Sequence, residues 1–67
     1  MSKIYRDYLF IDRESGEDFL VEVDVTDLSP RDAFAKAKRI AKENFDAPSF
    51  VEEMPPEQGE MLGLDTY

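Results

Sequence analysis

Cysteine, histidine and tryptophan are all absent from the 67 residues. Without cysteine, no disulfide and no thiolate metal site can support the core, and the redox compartment is left open. Without histidine, the commonest general base and the commonest metal ligand are missing. Ser-His-Asp and Cys-His constellations are therefore impossible. An enzyme here would have to work with carboxylates, Lys, Tyr or Ser, and catalysis is not expected. Glycine is scarce too. The three glycines, at 16, 59 and 63, fit no P-loop or dinucleotide pattern, so no nucleotide cofactor is expected, nor any other cofactor. No stretch approaches the ~20 apolar residues of a membrane span. The chain meets charge at once, in Lys3, Arg6 and Asp7, with no apolar run of signal-peptide length. A cytoplasmic protein without membrane contact is the expectation.

What is present is enough for one small domain. Hydrophobic residues make up 42% of the chain and aromatics 12%, which is too apolar for wholesale disorder. A chain this short buries only ~60% of the surface its unfolded form exposes, so its core must be thin.

The charge is sorted along the chain. Residues 31–42 hold five basic residues and one acid, a local charge of +4. Residues 1–30 carry −5 and residues 43–67 carry −7, giving −8 in all. Such sorting limits which partners are electrostatically plausible.

Two strands are predicted, over residues 3–11 and 18–25. Both are rich in aromatic and β-branched types. In the second, Phe19, Val21, Val23 and Val25 share one face. Leu20, Glu22 and Asp24 share the other, which reads as mostly wet. Residues 13–16 form a four-residue loop if Asp12 pairs with Glu17. That register sets Phe10 opposite Phe19, Tyr8 opposite Val21, Arg6 opposite Val23 and Asp7 opposite Glu22. A loop one residue longer would move every side chain to the other face. The shorter loop, slightly preferred, gives one apolar face broken by Arg6; the longer one would set Tyr5, Leu9 and Ile11 with the valines and pair Arg6 with Asp24. The Arg6 stem is expected to cover apolar surface while its head reaches water or an acid.

Ser29 is a good N-cap, Pro30 suits the first helical position and Asp32 adds an acid to the first turn. A helix from Pro30 to about Phe45 follows. Ala33, Phe34, Ala37, Ile40, Ala41 and Asn44 fall within a ~120° arc, which should face the sheet. Pro48 ends this element. Residues 49–54 suggest a short third strand, parallel to the second if the chain returns along the sheet. Pro56 to Leu62 suggests one or two helical turns, with Gly63 as a left-handed cap. The fold expected is α+β: an antiparallel hairpin packed on one amphipathic helix, with a possible third strand (ββαβ) and a C-terminal helical turn or docked tail. Residues 1–54 form the domain and residues 55–67 the tail.

Several features bear on function. Asp32 with Lys36, and Arg39 with Glu43, have the spacing of helical ion pairs. Arg31, Lys38 and Lys42 lack such partners and form a stripe with Ala35 between. They are candidate contacts for an acidic partner, or simply a solvated face. Nucleic-acid binding commonly uses about six or more phosphate contacts, so three free cations make direct binding unlikely. The acids Asp7, Glu22, Asp24, Asp12, Glu14, Glu17 and Asp18 could form a row that imitates a nucleic acid. Solubility is the better explanation of them, since acidic surfaces are common. Asp12, Glu14, Asp18 and Glu22 invite a calcium reading. The EF-hand needs an acid at the fifth position, glycine at the sixth and glutamate at the twelfth. Counted from Asp12, those positions are Gly16, Glu17 and Val23, so the template fails and no metal site is expected. Met61, Leu62 and Leu64 are too apolar for a solvated tail. They should dock on a patch of Tyr5, Leu9 and Leu20, or contact a partner. The terminal Asp65–Tyr67 reads as exposed and without a role. The leading expectation is a small acidic, non-catalytic protein-interaction or accessory module, with self-association through a strand edge also possible.

Overall fold

The helix boundaries follow from chemistry local to each end. In the computed structural model, which describes residues 2–67, α1 runs Pro30–Asn44. Ser29 is extended at the N-cap, and its hydroxyl accepts the Asp32 N–H at 3.1 Å. Pro30 occupies the first turn, where no N–H is needed. Two strands precede the helix, β1 (Tyr5–Asp12) and β2 (Asp18–Asp24). A third strand, β3 (Pro48–Met54), and a short helix, α2 (Pro56–Glu60), follow it. The fold is α+β, with the order ββαβ and a C-terminal helix.

The hairpin adopts the shorter-loop register. Phe10 faces Phe19, Tyr8 faces Val21, Asp7 faces Glu22 and Arg6 faces Val23. The Asp12 N–H donates to the Glu17 carbonyl at 2.8 Å, closing the turn. Gly16 lies at φ 78, where side chains are disfavoured. Asp12 is buried and works structurally. It accepts from the Ser15 hydroxyl (2.8 Å), the Ser15 N–H (3.1 Å) and the distant Ala47 N–H (2.9 Å). It thereby ties the turn to the segment that leads into β3. Burial pushes its carboxyl up, but these hydrogen bonds together hold it below the ordinary range.

β1 is the central strand of a three-stranded sheet, β2-β1-β3. β3 pairs antiparallel with β1. It therefore runs in the same direction as β2 but lies on the far side of β1. The core lies between the sheet and α1. Tyr8, Phe10, Phe19, Val21 and Val23 meet Ala33, Ala37 and Ala41 there. The alanines let the helix lie close to the sheet. Phe34 and Ile40 flank it half-buried. Asn44, expected on the buried stripe, is exposed and instead donates to the Ile40 carbonyl at 2.8 Å.

The face of the hairpin expected to be wet is covered. Leu20 is 1% exposed and Asp7 only 3%. The cover is the C-terminal segment, and it seats differently from the expectation. Met61 is 85% exposed and Leu62 is exposed as well, while Leu64 is half-buried. The tail is held by its backbone and by Tyr67. The Leu20 N–H donates to Asp65 O (2.9 Å), Tyr67 N–H to Leu20 O (2.8 Å) and Glu22 N–H to Tyr67 O (3.0 Å). The Tyr67 ring stands edge-on to Phe19 and Phe45. Edge hydrogen bonding needs no particular side chain, so the terminal three residues found a role their composition does not advertise. α2 ends at Glu60, two residues earlier than expected, and Gly63 takes φ 67 just beyond it.

Candidate interaction surface

The two edges of the sheet are treated differently. The outer edge of β2 is closed by the tail, through the parallel bridge of Leu20 to Thr66. The outer edge of β3 has no strand against it among the described residues. The Arg13 N–H donates to Ala47 O at 2.9 Å, on the side of β1 that faces β3. Bonded and non-bonded pairs alternate along an antiparallel ladder. The Phe10–Phe50 pair is then a non-bonded one, so the Phe50 N–H and C=O turn outward. Between Phe50 and Glu52 the register slips by one residue, and Val51 is the extra residue of a bulge. Both Phe50 (42% exposed) and Val51 stand open to solvent.

α1 borders this edge with its cationic flank. Phe34 meets Phe50 edge to face, with ring centroids 4.9 Å apart. The Lys38 ammonium lies 5.6 Å above the Phe34 ring, a cation–π contact. Arg31 and Lys42 fall within ~40° of Lys38 around the helix, so the three form one stripe on the β3 flank. A shallow depression of about 460 Å³, lined by Ala35, Lys38, Arg39, Lys42 and Glu43, runs along the outer helix surface. Lys36 lies on the opposite flank, where its charge helps lower the Asp24 carboxyl. The hydrogen bonds from Thr26 lower that carboxyl more.

The helical ion pairs expected within α1 do not close. Among the described residues the only ion pairs are Lys3–Asp24 at 4.0 Å and Arg6–Glu53 at 2.7 Å. Long exposed side chains lose more entropy in such a pair than its screened attraction returns, so i,i+4 spacing alone does not enforce contact. Arg39 and Lys36 are therefore as unpaired as Arg31, Lys38 and Lys42. Arg6 behaves as its position suggests, with its head on the Glu53 carboxylate. That pair neutralises the one acid of β3 on the helix side. Arg6, Glu53 and Tyr8 also line a cleft of about 190 Å³ with Leu28 and Pro30. This is below the ~300 Å³ at which small-molecule pockets usually begin. Burial raises the Tyr8 phenol, Glu53 raises it further and Arg6 opposes.

The acidic row drawn from the sequence is broken. Asp7 and Asp12 are both buried, which leaves Glu14, Glu17 and Asp18 at the turn and Glu22 and Asp24 apart from them. No group of three or more acids among the described residues is placed to hold a metal ion. No helix among them is long and apolar enough to cross a membrane. The Phe50 contribution is the part of this surface that sequence reading missed, because the bulge at Val51 breaks the alternation that marks a strand face. No family model, curated protein or solved structure matches the chain.

Proposed function

We propose that the chain is a small acidic, non-catalytic protein-interaction module. Its partner is another protein, which lays an acidic segment along the margin between α1 and β3. One observation carries this reading: one sheet edge is sealed by the chain's own tail, while the other is open beside a row of unpaired cations. An extended segment can add its backbone to such an edge, and its side chains then read the neighbouring surface. Arg31, Lys38 and Lys42 favour acids there, and Phe34 with Phe50 supplies an apolar anchor. Charge complementarity of this kind steers encounter and selects the partner. Glu52, Glu53 and Pro48 on the same strand work against pairing of two copies. The net charge of −8 also opposes self-association and direct nucleic-acid binding. Met61 and Leu62, exposed beyond α2, can add secondary contacts. The setting proposed is the cytoplasm.

Charge reversal tests the reading. In pull-downs from the native cell, the wild-type chain should recover a partner that the Lys38→Glu/Lys42→Glu variant loses, and added salt should weaken recovery. A Glu14→Gln/Glu17→Gln variant should keep it. Recovery that survives the lysine reversal but fails on the glutamine changes points instead to the acidic turn and to nucleic-acid mimicry.

A further inference from the structure

Asp7 is a buried acid with no counterpart. It lies mid-strand in β1, on the face covered by the tail, and is 3% exposed. Its Oδ1 has no hydrogen-bond partner. Gly59 of α2 packs directly on the carboxyl, so closely that a Cβ at position 59 would overlap it. Every charged group that faces it is acidic: Glu22 from β2, and Glu57 and Glu60 from α2. β3 contributes Met54 opposite Asp7 and, two positions on, Glu52. The cations nearest in sequence are occupied elsewhere. Lys3 stands beside Asp24 and Arg6 holds Glu53.

A carboxylate sealed in this place would be an unpaired buried charge among three acids, which proteins avoid by keeping the group neutral. We propose that Asp7 is an acid-operated latch for the C-terminal segment. As a neutral carboxyl it lets α2 seat on β1. Its ionisation as pH rises loosens residues 55–67 from the sheet. Release uncovers Leu9, Leu20 and Met54 and frees the outer edge of β2, giving the protein a second open edge besides β3. The sign follows from linkage. Burial, and then Glu22, Glu57 and Glu60, hold the carboxyl above its ordinary range. The docked state therefore binds the proton more tightly than the released one, and docking weakens as pH climbs through the raised pKa.

The test is a carboxyl-carbon NMR titration of Asp7 in the full chain, with amide hydrogen exchange followed over the same pH range. Asp7 should titrate above ~3.9, the ordinary value for aspartate. Over that interval the protection of the Leu20, Glu22 and Tyr67 amides, corrected for intrinsic exchange, should fall at least tenfold. Val21 and the α1 amides should keep theirs. The Asp7→Asn variant, neutral at every pH, should hold the tail amides protected throughout. Titration of wild-type Asp7 at or below the ordinary value would overturn the latch. So would tail protection that does not change across the titration, or the same pH-dependent loss in Asp7→Asn, which would assign it to the glutamates.

Discussion

Replacing Phe19 with alanine should remove roughly half of the chain's stability at 25 °C. Phe19 is 1% exposed and joins the two layers that cover the sheet. Its ring stacks on Phe45 at 3.9 Å and on Phe10 at 5.6 Å, and Tyr67 of the tail stands edge-on to it at 5.7 Å. Truncating a buried phenylalanine costs about 3–5 kcal/mol, through lost transfer energy and the cavity left behind. Total stability at about 0.05–0.15 kcal/mol per residue comes to only ~3–10 kcal/mol for this length. With no cysteine in the chain, no disulfide makes up the difference. The comparison is Phe50→Ala. Phe50 is a similar aromatic in a similar strand, but it is 42% exposed, and its loss should cost clearly less than that of Phe19. Urea unfolding followed by far-UV circular dichroism separates the two. A Phe19→Ala variant with a near wild-type midpoint would show that the aromatic layer is not where the stability resides.

Gly59→Ala carries the second large effect, and its sign is the informative part. Within a helix this substitution ordinarily gains about 1 kcal/mol. Here the new Cβ would overlap the Asp7 carboxyl and stand 3.0 Å from the Asp7 Cβ. Asp7 sits in a central strand and cannot withdraw, so α2 must lift. Overpacking of this kind costs about 1–3 kcal/mol. The net expectation is destabilisation, with early loss of protection at the Leu20 and Glu22 amides. Adding Asp7→Ala, which removes the obstructing carboxyl, should recover most of the loss. A coupling energy above about 0.5 kcal/mol in the double-mutant cycle would identify the contact. Stabilisation by Gly59→Ala alone would contradict the close seating of α2.

The sandwich of hairpin and helix was legible in the sequence for identifiable reasons. The Ser29-Pro30 start specifies α1, and the alternation of Phe19, Val21 and Val23 fixes the buried face of β2, while the register of the hairpin stayed open between two loop lengths. The second covering layer was legible only in outline: a helical turn and a tail docked on Leu20 were expected, but seated by Met61 and Leu62. Asp7, Glu22 and Asp24 make their strand face look solvated, and nothing in the composition of the tail shows that a glycine and three backbone hydrogen bonds seat it. Met61 and Leu62 pointed the wrong way, because apolar character near a chain end does not guarantee burial. At the interaction surface the cationic stripe was readable from helical spacing. Phe50 was not, since only pairing with β1 reveals the bulge that exposes it and the outward turn of its backbone. The ion pairs drawn within α1 were also misleading: none closes, so Arg39, which shares the outer depression with Lys38 and Lys42, is unpaired as well.

The claim on which the functional account rests is that a partner meets the α1–β3 margin. It is tested most directly by amide chemical-shift mapping of the labelled full chain, on addition of the protein recovered by the wild-type bait. The largest shifts should fall within residues 34–42 and 48–54, with the Phe50 amide gaining exchange protection and the Leu20 and Glu22 amides unchanged. Shifts concentrated in residues 14–18 or 61–64, with Phe50 still freely exchanging, would contradict it.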